Sequence, residues 1–139
     1  MAIDKEAIIG AKDIPISTIE VPEWGGTVCV RRQNIRERDF LIPISDGFMS
    51  IEPPKKEGQP PIIKMKEGEE SEKAYAKHRL YSVGFALCDE NGERLFSDEE
   101  IESVLGKKSS VVIDRIHREL GNAFKGDADQ EKIEDSASA

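Results

Sequence analysis

The sequence predicts an α+β fold that is mostly α-helical, with an N-terminal β-hairpin, then a small helical bundle and a disordered acidic C-terminal tail. Apolar residues alternate with polar ones over residues 16–31, which is the period of a half-buried strand. Further along the chain, apolar residues recur at helical spacing behind capping residues. The length of 139 residues suits one domain of ordinary size.

The strand pattern is broken once, between residues 22 and 26, so that a β-hairpin is expected at residues 17–32. Pro22, Gly25 and Gly26 are expected to shape its turn, because paired glycines supply the positive φ that a tight reversal requires. Trp24, the only tryptophan, lies at the tip. Two interpretations of it stay open: it packs onto the hairpin's own core, or it is an exposed anchor for a partner.

Capping residues and helix breakers define the helical segments. Residues 4–12 form a short helix or an irregular arm that ends by Pro15. Asn34 and Glu37 form a capping box for a helix that Pro43 interrupts early. The remaining helices are expected at residues 71–88 with an apolar stripe at Ala76, Leu80, Val83 and Leu87, after Ser97 with Gly106 closing it, and at residues 109–120 with Gly121 stopping it.

Two segments do not fit a packed core. Residues 52–70 combine four prolines with many charged residues and are predicted to be a long, mobile surface loop. Residues 127–139 carry five acids against Lys132, a net charge of 1 − 5 = −4, which is typical of a disordered tail. We therefore expect a single domain over residues 1–125 and a disordered acidic tail over residues 126–139.

The charge balance excludes two classes of partner. Twenty Lys and Arg residues against 28 Asp and Glu residues give a net charge of −8. Such a chain lacks the excess of cations with which proteins neutralise nucleic-acid phosphates or anionic membranes. The N-terminus lacks the order of a signal peptide, and Cys29 and Cys88 are expected as reduced thiols, with one disulfide as the alternative. A cytoplasmic protein is expected.

The sequence offers no catalytic, cofactor or metal motif. His78 and His117 lie in different helical segments, lack metal-ligand spacing and are expected to be exposed or at the rim of the core. Cys88 could be a nucleophile only if His117 folded against it, and a buried structural cysteine is the other interpretation. We expect no catalytic residues, no cofactor and no metal.

One basic cluster, formed by Arg31, Arg32, Arg36 and Arg38, adjoins the hairpin. It is either a solvated edge balanced by neighbouring acids or a docking patch for an acidic partner, including the acidic tail of another copy. The candidate partner-binding residues are therefore Trp24, Arg31, Arg36 and Arg38.

Two blocks of the sequence resemble the tail assembly chaperones of long-tailed bacteriophages. The first contains the tryptophan–double-glycine motif within residues 19–26, together with residues 11–14, 28–31 and 37–39. The second comprises residues 86–92, 95–98, 105–109 and 114–116. The blocks stand in the family's order and cover most of residues 11–121.

This resemblance implies a small, non-enzymatic protein of the bacterial host cytoplasm. Such a protein binds the tape measure protein, keeps its hydrophobic helices soluble while the tail tube polymerises, and is usually absent from the mature virion. The implied partners are the tape measure protein, the major tail tube protein and further copies of the chain, without nucleic acid or membrane. Two alternatives stay open: a minor tail or head–tail adaptor subunit retained in the virion, and a small hydrolase that uses Cys88.

Overall fold

A computed structural model describes residues 2–124 and has the α+β architecture that the sequence predicts. About half of the described residues are helical, and the strands among them form two small antiparallel sheets. The predicted tail over residues 126–139 lies outside the described residues. The elements are α1 (Lys5–Gly10), β1 (Ile16–Val21), β2 (Gly26–Arg31), α2 (Ile35–Ser45), β3 (Met49–Glu52), β4 (Ile62–Met65), α3 (Glu69–Ala86), β5 (Leu87–Cys88), α4 (Asp98–Ser103) and α5 (Ser110–Ala123).

The predicted N-terminal hairpin is confirmed. Strands β1 and β2 pair over their whole length, from Ile16 opposite Arg31 to Val21 opposite Gly26. A third strand, β5, extends this sheet in the order β1-β2-β5. Val21 and Val30 are fully buried, so the sheet presents one apolar face to the helices.

Helix α2 begins as predicted and ends later than predicted. The Asn34 side chain accepts a hydrogen bond from the Glu37 N–H, and the Glu37 carboxylate accepts one from the Asn34 N–H. Pro43 lies inside the helix and does not interrupt it, contrary to the expectation. Its ring removes one i→i−4 bond within the last turn, and the Asp46 N–H still reaches the Ile42 carbonyl.

The segment predicted as a loop over residues 52–70 contains regular structure at both ends. Strand β4 pairs with β3 to form a second hairpin, and α3 already begins at Glu69. Proline cannot donate to a strand ladder, and all four prolines of the segment fall between residues 53 and 61, in the connection between the strands. The irregular part is therefore shorter than predicted.

The helix predicted at residues 71–88 ends at Ala86, because the chain turns extended at Leu87 and joins the first sheet as β5. The predicted stripe is only partly internal: Ala76 is exposed, Leu80 is half-buried, and Val83 and Leu87 are buried. From Tyr81 to Cys88 every residue is buried, so this stretch lies in the centre of the fold.

The last two helices begin where predicted, but neither ends where predicted. Helix α4 ends at Ser103, and Gly106 lies within the 3₁₀ turn Leu105–Lys107 that follows it. Ser97 and Glu100 form the expected capping box before α4. Helix α5 does not stop at Gly121 but continues to Ala123. Burial of Phe124 and partial burial of Leu120 and Ala123 outweigh the helix-propensity cost of one glycine, which is about 1 kcal/mol.

One hydrophobic core joins the first sheet to α2, α3, α4 and α5. Helix α3 runs through its middle and contacts α2 on one side and α5 on the other. The Cβ that an alanine would place at Gly84 would lie 2.5 Å from Cγ1 of Ile101, so glycine permits the close approach of α3 and α4. The largest fully buried side chains are Leu87, Ile101, Leu105, Ile116, Val21, Val30 and Val83.

Candidate functional site

The tip of the first hairpin is a short 3₁₀ turn, Pro22–Trp24, closed by Gly25. The Gly25 N–H donates to the Pro22 carbonyl at 3.0 Å, and Gly25 has φ +86°, which favours glycine. Gly26 instead begins β2 opposite Val21, so only one of the paired glycines has the expected positive φ. Trp24 is half-buried and packs against the core, which favours its interpretation as a cap over that of a fully exposed anchor.

An ion pair fixes the hairpin tip to α5. Both carboxylate oxygens of Glu23 accept hydrogen bonds from the Arg115 guanidinium, at 2.6 and 2.7 Å. This bidentate contact is the chief cause that lowers the pKa of Glu23 to about 2. Sequence reasoning missed the pair, because its members are 92 positions apart.

Arg31 is buried, unlike the other members of the predicted docking patch, and is paired within the fold. Its side chain is only 5% exposed, and its Nη2 donates to Oε2 of Glu37 at 2.7 Å. Glu37 is equally buried and also holds the N-terminus of α2. The Arg31 side chain lines two concavities, one beside Arg32 and Arg38 and the other beside residues 11–14 and 91–93.

The first of these concavities is a groove that has a volume of about 520 Å³ and lies between β2, α2, α3 and α5. Arg32 and Arg38 line it, whereas Arg36 is exposed outside it. Ala86, Leu120 and Phe124 supply its apolar part. We call this concavity the basic groove.

Both histidines line the basic groove, which sequence reasoning did not anticipate. His78 on α3 and His117 on α5 are half-buried, and their ring centroids are 6.3 Å apart. Burial is the main cause that lowers the pKa of each imidazole. The nearby His117 lowers the pKa of His78 further, and the nearby Arg79 lowers the pKa of His117 further. The prediction that both histidines lie at the rim of the core is confirmed. Their closeness to each other could not be predicted, because it depends on how α3 packs against α5.

The lowered histidine pKa values predict a pH-dependent stability. The unfolded chain binds protons near pH 6.5, whereas the folded state keeps both imidazoles neutral to lower pH. The histidines' contribution to the free energy of unfolding should therefore be complete above pH 6.5 and decrease as the pH falls through this value. Urea unfolding at pH 7.5 and pH 6.0 measures the loss, and His78→Gln/His117→Gln should reduce it. An equal loss of stability in the wild-type protein and in the double variant would show that the histidines do not cause it. Glu23 cannot cause it, because its pKa lies far below this pH range.

The cysteines do not form a nucleophilic site with the histidines. Cys29 and Cys88 lie opposite each other on β2 and β5, and both are free thiols. Burial raises the pKa of Cys88, which disfavours the thiolate that nucleophilic attack requires. No hydrogen bond within residues 2–124 joins Cys88 to a histidine. Cys88 is a buried structural residue, although it lies in a strand and not at the end of a helix.

An exposed apolar surface lies on the second hairpin, whose second strand falls within the segment predicted to be loop. Met49 pairs with Met65 and Ile51 with Ile63, so all four side chains point to one side of the two-stranded sheet. Ile51, Ile63 and Met65 are each more than 60% exposed. We call these four residues the apolar hairpin face. Exposed apolar side chains grouped on one face of a hairpin are a candidate contact for a partner.

Residues 2–124 contain neither a metal-binding cluster nor a membrane-spanning helix. No group of three or more His, Cys, Asp or Glu side chains there could hold a metal ion. No helix in the same range is both long and apolar enough to cross a bilayer.

Comparison with known proteins relates this fold to one solved structure in particular. No protein-family model and no curated protein sequence matches the chain. The structure of the bacteriophage HK97 tail assembly chaperone superposes with a TM-score of 0.58, covering 86% of this chain and 95% of that one at 17% sequence identity. The family resemblance noted in the sequence is thus confirmed at the level of the fold.

Proposed function

We propose that this chain is a tail assembly chaperone of a long-tailed bacteriophage, which binds the tape measure protein and keeps it soluble until the tail tube polymerises around it. The observation that carries the proposal is the fold that the chain shares with the HK97 tail assembly chaperone over most of both lengths. The resemblance of the two sequence blocks points to the same role.

The apolar hairpin face is the proposed contact for the tape measure protein. A chaperone of apolar helices must offer them apolar surface while keeping the complex in solution. The apolar hairpin face offers such a surface, and the net charge of −8 favours solubility. Burying each exposed Ile or Met side chain against a client would stabilise the complex by about 1.5–3 kcal/mol.

The proposed action is binding without catalysis, in the host cytoplasm. Its supports are the raised pKa of Cys88 and the absence, within residues 2–124, of a hydrogen bond between Cys88 and a histidine. The proposed partners are the tape measure protein, the tail tube protein and further copies of the chain. Light scattering on the purified protein checks the last of these.

Co-purification tests the proposal directly. The chain carries an affinity tag and is co-expressed with the tape measure protein of the same genome. We expect the tape measure protein to be retained with it. Failure to co-purify would refute the proposed role. Mass spectrometry of purified virions separates this role from that of an adaptor subunit, which would be present at a fixed copy number.

Substitutions on the apolar hairpin face should weaken this binding. We expect Ile51→Ser/Ile63→Ser/Met65→Ser to reduce retention of the tape measure protein about tenfold or more, because three apolar contacts are lost. Since these side chains are largely exposed, stability should change little. The matched control is Glu52→Ser/Lys64→Ser, an exposed ion pair on the opposite side of the same hairpin. Equal retention by both variants would exclude this face as the contact.

A further inference from the structure

The basic groove has a charge opposite to that of the chain as a whole. Acids outnumber Lys and Arg by 28 to 20 in the sequence. The eleven residues that line the groove nevertheless include three arginines and two histidines and no Asp or Glu. A groove of this composition attracts carboxylates, because its cations are close together and partly withdrawn from water.

Arg31, which lines the groove, carries a donor that the described residues do not satisfy. The Nε–H of Arg31 is buried and has no hydrogen-bond partner among residues 2–124, although Nη2 of the same guanidinium is paired with Glu37. A buried donor without a partner costs about 1–3 kcal/mol. The Arg31 guanidinium therefore keeps hydrogen-bonding capacity that Glu37 does not use.

The C-terminal end of the described chain lies in the groove itself. Phe124 lines it, and the Phe124 carbonyl accepts a hydrogen bond from Nη2 of Arg32 at 3.1 Å. The Arg32 guanidinium also lies 5.5 Å from the centre of the Phe124 ring. The next acidic residue in the sequence, Asp127, follows only three positions later. Three residues span at most about 11 Å, which keeps this carboxylate within reach of the groove.

We propose that the basic groove is a carboxylate-binding site, occupied by the acidic segment 127–135 of the same chain. This segment carries Asp127, Asp129, Glu131, Glu134 and Asp135 against Lys132. Its short tether gives an effective concentration in the millimolar range, above that of a second copy in ordinary solution. The inference does not rest on the proposed function.

The two histidines provide a specific probe of the occupied groove. They are the only histidines in the sequence, so every imidazole signal in an NMR spectrum of the full chain reports on this groove. The charged groups near them are Arg32 and Arg38 across the groove, and Arg79 and Asp114 on their own helices. Carboxylates bound in the groove would favour the protonated imidazoles.

The test is an NMR titration of both imidazoles in the full chain at low ionic strength. In Asp127→Asn/Asp129→Asn/Glu131→Gln, we expect each histidine pKa to fall by about 0.5 relative to the unaltered chain, the effect of one carboxylate about 6 Å away in a water-like dielectric. The matched control, Glu57→Gln/Glu67→Gln/Glu99→Gln, removes the same charge from exposed positions outside the groove and should leave both values unchanged.

Three outcomes would overturn the proposal. Unchanged histidine pKa values in the segment variant would show that its carboxylates do not bind there. An equal fall of the histidine pKa values in the control variant would show that they respond only to the net charge of the protein. A fall that disappears when the protein is diluted would assign the groove to the segment of a second copy. The expected result is a fall that is confined to the segment variant, independent of protein concentration and diminished by added salt.

Discussion

Replacing Glu37 with alanine should lower the free energy of unfolding by about 3–5 kcal/mol, because it leaves the Arg31 guanidinium buried without its ion-pair partner. Both side chains are only 5% exposed, and 2.7 Å separates Nη2 of Arg31 from Oε2 of Glu37. The substitution also removes the carboxylate that accepts the Asn34 N–H at the start of α2. Urea denaturation of the wild-type protein and Glu37→Ala measures the difference.

The matched control separates the ion pair from the helix cap. Asn34→Ala removes the other half of the capping box and leaves the ion pair intact, so it should cost only about 1 kcal/mol. A second variant, Arg31→Met/Glu37→Leu, replaces both charges with apolar groups and should be more stable than Glu37→Ala alone. Equal losses in Glu37→Ala and Asn34→Ala would mean that the ion pair contributes nothing beyond capping.

Replacing Ile101 with alanine should cost about 2–5 kcal/mol of stability, through lost apolar burial and the cavity that remains. Ile101 is completely buried where α4 packs against α3. Thermal or urea unfolding measures the loss. Val111→Ala is the control, since Val111 is 70% exposed on α5 and should tolerate truncation with little change.

The close contact between Ile101 and Gly84 makes the two positions interdependent. Gly84→Ala alone should destabilise the protein by about 1–3 kcal/mol, because the new methyl group would meet three side-chain atoms of Ile101 within 3 Å. In the Ile101→Ala background the same substitution enters vacated space and should cost less. Strict additivity of the two losses would contradict this packing.

Local patterns in the sequence predicted the elements that depend on neighbouring residues. The alternation that ends in Val28 and Val30 defined the first hairpin, and the side chains of Asn34 and Ser97 marked two helix starts. The elements that were not predicted depend on contacts with residues distant in the sequence. Leu87 and Cys88 continue a helical stripe in the sequence, yet they pair with Val30 and Cys29 as a strand. Breaker residues also misled, since Pro43 and Gly121 both lie inside helices.

The candidate surfaces were less predictable than the fold, because each combines residues from separate elements. The arginine cluster was visible as closely spaced cations, but the burial of Arg31 depends on its pairing with Glu37, and the groove around Arg38 depends on the packing of α5. The two strands that form the apolar hairpin face are separated in the sequence by a proline-rich connection. The period-two spacing of Met49 and Ile51, and of Ile63 and Met65, was a signal that could have indicated this face.

The measurement that tests the central claim most directly is the solubility of the tape measure protein expressed with and without this chain. The tape measure protein of the same genome is produced alone, with the wild-type chain, and with Ile51→Ser/Ile63→Ser/Met65→Ser, and its soluble fraction is quantified after centrifugation. The account predicts a soluble tape measure protein only with the wild-type chain and a return to the insoluble fraction with the variant. A tape measure protein whose solubility is the same in all three cases would contradict it.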